Sequence, residues 1–251
     1  MKEAETFAGF SVLEPQWPAP RTVRAAFTLR GGGVSVGPYA SLNLGAHVGD
    51  EAAAVAENRR LLRARLKLPR EPEWVEQVHG TVVLDLEAPA GAPVADAVIA
   101  RRCGQVCVVQ VADCLPVLLG SVRGDAVAVA HAGWRGLAGG VLEATVAQLA
   151  IDPRELLAWL GPAIGPQHFE VGGEVRAAFL AHDVAATSAF TANDRGRWQC
   201  DLRALARQRL YAAGVEAVYS VDSCTYSDPA RFFSYRRDGR CGRMAALIWL
   251  E

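Results

Sequence analysis

Two reactive side chains stand at the ends of two short apolar runs. Cys114 precedes the run LPVLLG, and His131 ends the run AVAVAH. A polar turn that contains glycine, residues 121–125, joins the runs and predicts a hairpin of two strands. The rigid edge of such a hairpin would present a thiol and an imidazole to one cavity. This pair suits either nucleophilic catalysis or metal binding.

A second histidine, His79, lies beside Gly80 just ahead of the β-branched run TVVLDLE. A lone histidine at a strand edge is more often structural, but this one has a cysteine and a histidine at comparable strand ends. The set His, Cys and His suits a tetrahedral Zn²⁺ that keeps its fourth position open. A Cys/His dyad needs only one histidine, so the third group favours a metal. The alternative is a Cys114 nucleophile with His131 as its base and Asp113 or another acid to orient it.

Arginines and aromatic residues near glycines indicate where an anion and a flat ring could bind. Arg30 precedes three glycines, but the segment lacks the Lys-Ser/Thr ending of a P-loop, which favours a plain turn over a phosphate cradle. Arg135 lies at the predicted start of a helix, where backbone amides and a guanidinium together attract anions. In the segment ARFFSYRR the aromatic side chains could stack on a ring, although such residues fill cores at least as often.

The elements that must position these groups alternate irregularly between strands and helices. The run VCVVQV is predicted as a central strand, and Pro116 is expected to stop the ladder and turn Cys114 out of it. Asp50 is a candidate helix cap. Helices are predicted over residues 50–67, 137–150 and 201–214, a strand from residue 156, a hairpin or surface loop over residues 185–198, and an apolar strand at the C-terminus. This pattern favours a single α/β domain with a mixed sheet over residues 1–251.

The composition is that of an ordinary globular protein. Its 251 residues are 51% hydrophobic, and the formal net charge of −1 creates no long-range field for nucleic acid or an anionic membrane. No apolar run approaches the roughly 20 residues of a membrane span, and the N-terminus lacks the apolar centre of a secretory signal. Six scattered cysteines, with Cys103 and Cys107 spaced CxxxC, form no disulfide or zinc framework. We therefore expect a cytoplasmic protein with reduced thiols that binds neither nucleic acid nor membranes.

Six segments carry a resemblance to a known family: RGGGVSVGPYASLNLGAHVGD, EQVHG, ADCLPVLL, AHAGWRG, LGPAIGPQHFEVGGEV and CTYSDPARFFSYRR. In order and over nearly the whole chain, they resemble the laccase-domain family, also called multicopper polyphenol oxidoreductases and described as purine nucleoside phosphorylases with adenosine deaminase activity. The resemblance implies mixed β-sheets in a sandwich flanked by helices. It also implies a metal site on His79, Cys114 and His131, with Zn²⁺ as the metal and Cu²⁺ as the alternative. Gln167 and His168 depart from the small residues, often cysteine, that are typical of the family there.

The implied reaction is phosphorolysis of adenosine, inosine or methylthioadenosine, so a purine nucleoside and phosphate are the expected partners. Asp113, Cys114 and Arg135 would be catalytic, with Asp113 positioning the ribose or protonating the base. The expected substrate contacts are Arg30, Asn43, Phe233, Tyr235 and Arg236. Phe233 and Tyr235 would form the purine platform, and the arginines, with Arg135, would bind phosphate. Deamination would need a water activated by zinc, although the sequence lacks the P-C-x-x-C motif of known zinc base deaminases.

Two other functions stay open at this point. Copper-dependent oxidation of phenols needs several coppers and many histidines, whereas the chain has five histidines. A cysteine hydrolase that acts on peptidoglycan precursors would use Cys114 as its nucleophile, in keeping with the family's link to peptidoglycan editing. For the oligomeric state, a monomer and a small homo-oligomer are both compatible with the sequence.

Overall fold

Thirteen strands and six helices build the described chain, residues 10–88 and 94–251 of a computed structural model. The strands are β1 (Val12–Leu13), β2 (Val23–Thr28), β3 (Val83–Asp85), β4 (Ala97–Ala100), β5 (Val106–Val111), β6 (Leu115–Ser121), β7 (Val127–Ala132), β8 (Leu156–Leu160), β9 (Glu170–Val171), β10 (Phe190–Ala192), β11 (Trp198–Cys200), β12 (Ala217–Ser220) and β13 (Met244–Leu250). The helices are α1 (Ala52–Leu66), α2 (Trp134–Gly139), α3 (Val141–Leu149), α4 (Gly173–Leu180), α5 (Leu202–Ala212) and α6 (Tyr235–Asp238). The expectation about a secretory signal rests on residues 1–9, which lie outside the described residues.

The strands form three sheets. The largest has six strands in the order β12-β8-β6-β7-β4-β3, the second has four in the order β1-β2-β13-β5, and the smallest has three in the order β10-β11-β9. The pairs β12/β8 and β3/β4 are parallel, whereas the other strand pairs are antiparallel. The predicted mixed-sheet α/β architecture is confirmed.

The two larger sheets pack face to face, and helices cover their outer faces. Val109 and Ile248 of the four-stranded sheet and Val98 and Val129 of the six-stranded sheet help to fill the space between them. Helix α1 covers the outer face of the four-stranded sheet, and α3 and α5 cover the six-stranded sheet. Strands β4, β6, β8 and β13 are buried on both faces, and their sequences are accordingly almost entirely apolar. In the part of the chain that is described, no helix has the length and apolar character needed to cross a membrane.

The predicted hairpin is present as β6 and β7, with Gly124 in its turn at a φ of 71°. One expectation about it is wrong, because Pro116 does not stop the ladder but lies within β6 opposite His131. At this pair the backbone amide of His131 and the carbonyl of Pro116 form hydrogen bonds with other segments and not with each other. The amide of His131 donates to Asp96 O at 2.7 Å, and that of Gly161 donates to Pro116 O at 3.0 Å. The proline therefore removes no hydrogen bond between β6 and β7.

Strand β5 lies at the edge of the four-stranded sheet, so the prediction that VCVVQV is a central strand is wrong. A side chain covers its open edge: Gln77 Nε2 donates to Gln110 O at 2.8 Å, and Gln77 Oε1 accepts from Gln110 N at 2.7 Å. Every residue of β5 is buried. The apolar run thus indicates burial of both faces, not a central place in the ladder. The same contact ties the loop of His79 to the strand that leads to Cys114.

Two helix predictions also need correction. Helix α1 is present, but Asp50 does not cap it, because Asp50 Oδ2 accepts from Ser35 Oγ at 2.6 Å and from Asn43 Nδ2 at 2.9 Å. The helix predicted over residues 137–150 is two helices, α2 and α3, which meet at Gly140 with a φ of 98°. The other predicted elements are found as α5, β8, the β10–β11 hairpin and β13.

Candidate functional site

Three predicted metal ligands meet at one end of the central strands β6 and β7 of the six-stranded sheet. The ligand atoms of His79, Cys114 and His131 all lie within 4.8 Å of one another, and no other group of three such side chains is found in the described ranges 10–88 and 94–251. His79 Nε2 is 3.7 Å from Cys114 Sγ, and the two imidazole rings meet edge to face with centroids 4.7 Å apart. We refer to these three residues, a candidate metal site, as the metal centre.

A different backbone conformation positions each of the three ligands. His131 lies within β7 and is almost fully buried. Cys114 directly precedes β6, and the residue before it, Asp113, has a φ of 89° that turns the chain into the strand. His79 itself has a φ of 61°, in a loop ahead of β3. Left-handed backbone is costly for residues other than glycine, so surrounding contacts must hold both loops in place.

Asp96, which the sequence analysis missed, supports both histidines. Its Oδ1 accepts from His131 Nδ1 at 2.8 Å and from the His79 amide at 2.9 Å. Its Oδ2 accepts from the amides of Gly80 at 2.6 Å and Val78 at 3.2 Å. Because a carboxylate only accepts, the Nδ1 proton of His131 stays on that side and Nε2 faces the centre. The only sequence signal for this role is an acidic residue directly before the apolar strand AVIA.

Glycines allow helix α2 to begin against the metal centre. A Cβ on Gly133 would lie 2.8 Å from His79 Cδ2 and 3.0 Å from Cys114 Sγ, and one on Gly136 would lie 2.9 Å from Gly80 O. These separations are shorter than atoms tolerate without movement. The glycine spacing in HAGWRG therefore has a steric cause, since any side chain at these positions would displace the ligands.

The charges at the centre suit metal binding. Burial alone would raise the pKa of the Cys114 thiol, but the neighbouring His131 and His79 lower it to about 6. Burial opposes the charged form of His131, yet Cys114 and Asp96 raise its pKa to about 9. Burial acts to raise the pKa of Asp96, and the bonds from His131 and Gly80 outweigh it and lower that pKa. The site thus favours a thiolate, the form of cysteine that binds metals.

The residues present fit a zinc ion. Zinc binds sulfur and imidazole nitrogen at about 2.0–2.3 Å, which puts ligand atoms of a tetrahedral site about 3.3–3.8 Å apart. The 3.7 Å between His79 Nε2 and Cys114 Sγ falls in this range, and the 4.8 Å upper bound for the whole set requires only small side-chain adjustments. Two nitrogens and one sulfur leave a fourth position for a substrate or water.

Asp113, predicted to be catalytic, joins several loops through hydrogen bonds. Its Oδ1 accepts from Thr225 Oγ1 at 2.6 Å, and its Oδ2 accepts from Ser234 Oγ at 3.0 Å and from the Arg236 amide at 2.7 Å. Its carbonyl accepts from Ile164 N at 3.0 Å, and only 8% of the residue is exposed. The carboxylate therefore has little free surface for a substrate, and its contacts join the segment of Asp113 to Thr225 and to the start of α6.

Three predicted substrate contacts have structural partners instead of open faces. The Arg30 guanidinium donates to the carbonyls of Ala40, at 2.9 and 3.1 Å, and Pro229, at 2.9 Å, and it lies over Phe233 at 4.6 Å. Phe233 has no exposed surface, so its ring belongs to the core and offers no platform to a purine. Asn43 is also fully buried, and its Oδ1 accepts from the Arg243 amide at 2.9 Å.

Three other predicted contacts lie at the surface. Arg135 is exposed at the start of α2 and stacks over Trp134 at 4.5 Å. Tyr235 is 61% exposed, and Arg236 donates from Nη1 to Glu170 O at 2.9 Å. Both neighbours of Tyr235 in the chain bond to Asp113, which places α6 next to the Cys114 loop.

The chain folds as a mixed α/β sandwich with a His/Cys/His centre, and its sequence matches a known family. The family described as multi-copper polyphenol oxidoreductase laccase matches residues 24–251, and the chain belongs to this family. Its relatives include purine nucleoside phosphorylase PA4543 of Pseudomonas aeruginosa, which is 54% identical over 95% of this chain and 98% of that protein. Purine nucleoside phosphorylase YfiH of Escherichia coli is 53% identical over 95% of this chain and 98% of its own length.

Solved structures show the same fold. Neisseria meningitidis protein NMB0706 superimposes with a TM-score of 0.92 at 48% identity, covering 96% of this chain and 99% of that one. YlmD of Geobacillus stearothermophilus superimposes with a TM-score of 0.88 at 31% identity, covering 99% of this chain and 98% of that one. The sheets and helices described above are therefore those of the family.

Proposed function

We propose that the protein is a zinc-dependent purine nucleoside phosphorylase that takes adenosine, inosine or methylthioadenosine with phosphate. One observation carries this proposal: relatives matched over nearly their whole length, with more than half of the aligned residues identical, bear that name. The metal centre supports the zinc dependence, because its donor types and spacing suit that ion. The products would be the free base and the corresponding pentose 1-phosphate.

The residues of the chain would have distinct roles in this reaction. The metal centre would hold zinc through two nitrogens and one sulfur, with Asp96 fixing the orientation of His131. When bound, zinc supplies a Lewis acid that polarises an oxygen or nitrogen of the substrate. Tyr235 offers the exposed aromatic face for the purine, and Arg135 and Arg236 stay candidate contacts for its anionic partner. Asp113 would keep the Cys114 loop in register with α6.

The test combines an elemental metal count with a nucleoside assay. Protein purified without metal-affinity resin should hold about one zinc per chain and release adenine from adenosine only when phosphate is present. Cys114→Ser should lose both properties. The matched control Cys103→Ser, which changes an exposed thiol that bonds Glu251 O at 3.5 Å, should keep both. Full activity of metal-free protein would refute the zinc dependence, and no phosphate-dependent release from any of the three nucleosides would refute the reaction.

Adenosine deamination is a second reaction of the same proposed site. The three-ligand set supports it, since a fourth position stays open for water. Chromatography of adenosine incubated without phosphate should then show inosine, and this product should disappear together with zinc in Cys114→Ser. Adenosine that stays unchanged in the presence of fully loaded protein would remove deamination from the proposal.

A cysteine hydrolase acting on peptidoglycan precursors is the second candidate, and one geometric observation favours it. Cys114, His131 and Asp96 form a series in which the imidazole lies between a thiol and a carboxylate 2.8 Å from Nδ1. Iodoacetamide separates the two functions. Protection of Cys114 by zinc supports the metal site, whereas rapid alkylation of zinc-loaded protein, with hydrolysis of precursors by metal-free protein, supports the thiol nucleophile.

Copper oxidation of phenols has less support. A multicopper enzyme needs several copper sites, and the described residues gather one group of three ligands. The elemental count distinguishes Cu²⁺ from Zn²⁺ at this group. An oxidase would also stop turning over when oxygen is removed, whereas phosphorolysis would continue.

A further inference from the structure

A cleft with two arginines opens between helix α6 and the start of strand β13. It has a volume of about 320 Å³, and His47, Tyr235, Arg240, Cys241 and Arg243 are among the residues that line it. No carboxylate belongs to its lining. We call it the cationic cleft. Its volume is at the lower end of the range for small-molecule sites, which suits a ligand of a few heavy atoms or part of a larger one.

Arg243 is held with one edge of its guanidinium free. Nη1 donates to the carbonyls of Cys241 at 3.0 Å and Gly242 at 3.1 Å. Nε and Nη2 have no hydrogen-bond partner among the residues that the structure describes. Together, Nε–H and Nη2–H form the parallel pair of donors that binds two oxygens of a phosphate or carboxylate.

The surroundings fix Arg243 in this orientation. Its backbone amide donates to Asn43 Oδ1 at 2.9 Å. Its aliphatic stem packs where Gly45 has no side chain, since a Cβ there would lie 2.8 Å from Arg243 Cγ. Arg240 is likewise fixed, by the Tyr39 hydroxyl and by Gly49 O at 3.0 Å. The donors are thus preorganised, which lowers the entropy lost when a ligand binds.

Two connections link the cleft to the segment that carries Cys114. Tyr235 lies between Ser234 and Arg236, which both bond to the carboxylate of Asp113, the residue before Cys114. Met244, which follows Arg243, pairs with Val111 at the end of the strand that leads to Cys114. The residues that line the cleft are therefore tied to the segment that carries Cys114.

We propose that the cationic cleft binds a phosphoryl group, and that in the reaction it holds the inorganic phosphate cosubstrate on Arg243. This inference rests on the proposed phosphorylase function and names the phosphate site within it. The arginines predicted from the sequence fit this role less well. Arg30 is engaged by backbone carbonyls through all three of its guanidinium nitrogens. Arg135 and Arg236 are exposed at the surface, whereas Arg243 is half-buried and its stem packs against Gly45.

The reaction balances with phosphate as the only added reactant. An oxygen of hydrogen phosphate forms a bond to ribose C1′ as the bond from C1′ to the purine nitrogen breaks. The electron pair of the broken bond goes to the base, and the proton of hydrogen phosphate ends on the base. The two donors of Arg243 would hold the phosphate oxygens that do not attack.

The test measures phosphate binding apart from turnover. Inorganic phosphate is titrated into the zinc-loaded protein by calorimetry, and KM is measured separately for phosphate and for nucleoside. Arg243→Gln should raise both the phosphate Kd and the phosphate KM about tenfold to a hundredfold, because it removes a charged double hydrogen bond. Zinc content and nucleoside KM should stay at the wild-type values. The control Arg60→Gln, which changes an exposed arginine paired with Glu57, should behave as wild type.

Four outcomes decide the proposal. An unchanged phosphate Kd in Arg243→Gln overturns it. Binding of a nucleoside monophosphate but not of inorganic phosphate overturns the cosubstrate assignment, because the phosphoryl group then belongs to a nucleotide. If Arg243→Gln does not fold, Arg243→Lys keeps the charge but not the paired donors, and a wild-type phosphate Kd in that variant overturns the proposal as well. If wild type binds phosphate through Arg243 but shows no phosphorolysis, phosphate binding in the cleft stands, whereas the cosubstrate role and the proposed function both fail.

Discussion

Two buried aspartates flank the metal centre and hold it by different means. Asp96 accepts four hydrogen bonds, one of them from the imidazole of His131 and one from the amide of His79. Asp113 accepts three bonds through its carboxylate, from Thr225, Ser234 and the Arg236 amide. The first carboxylate touches the ligands themselves, whereas the second joins the segments around them.

This difference separates metal affinity from stability. A carboxylate bonded to a ligand sets the tautomer, orientation and basicity of that ligand, so its loss appears in metal binding. A carboxylate bonded only to other segments contributes to the free energy of unfolding, and its loss leaves donors buried without an acceptor. Two residues of one type, both near Cys114, should therefore respond to the same substitution in different measurements.

The largest effect is expected for Asp96→Asn. An amide nitrogen would face donors that now meet a carboxylate oxygen, so the tautomer of His131 and the loop of His79 would both lose support. We expect zinc affinity to fall about 10–100-fold, measured by competition with a chromophoric chelator. Asp85→Asn is the matched control, because it removes a carboxylate paired with Arg101 at 2.7 Å away from the ligands. Equal zinc affinity in Asp96→Asn and wild type would show that Asp96 does not orient the centre.

Asp113→Asn should have a smaller effect, and in stability. It places one amide nitrogen against buried donors, so we expect the free energy of unfolding of the metal-free protein to fall by about 2 kcal/mol in urea titrations. Zinc affinity should stay close to the wild-type value, because no ligand atom contacts this carboxylate. A loss of zinc affinity as large as that of Asp96→Asn would break the comparison, since it would place Asp113 in the same role as Asp96.

The sequence was informative where the pattern is local. The β6–β7 hairpin follows from two apolar runs and a glycine turn, and it brings Cys114 and His131 to one edge. The third ligand, His79, also stands beside a predicted strand, so the set could be proposed without knowing the topology. The structure brings these three side chains together because the start of β6, the end of β7 and the loop before β3 lie close to one another.

The sequence was uninformative where long-range contacts decide. Nothing near Gln77 indicates that its side chain closes the edge of β5 by bonding Gln110, so a buried edge strand looked central. Asn43 and Phe233 lie in motifs that resemble the family, but only the packing shows that both are fully buried. Nothing in the sequence around Arg243 singles out its side chain either. Its backbone amide is held by Asn43, which lies 200 residues away in the chain.

The smallest predicted effect concerns Thr225, a hydrogen-bond donor to Asp113, and tests whether that carboxylate acts through stability. Thr225→Val keeps the shape of a fully buried side chain but removes the hydroxyl that donates to Asp113 Oδ1 at 2.6 Å. We expect a loss of about 1 kcal/mol in the free energy of unfolding, since the carboxylate keeps its two other donors. Thr225→Ser retains the hydroxyl and serves as the control. The double variant with Asp113→Asn should lose less free energy of unfolding than the two single variants lose in total, because both substitutions disrupt the same hydrogen bond. Full additivity would mean that Thr225 stabilises the fold independently of Asp113, and the carboxylate would then join fewer segments than its contacts indicate.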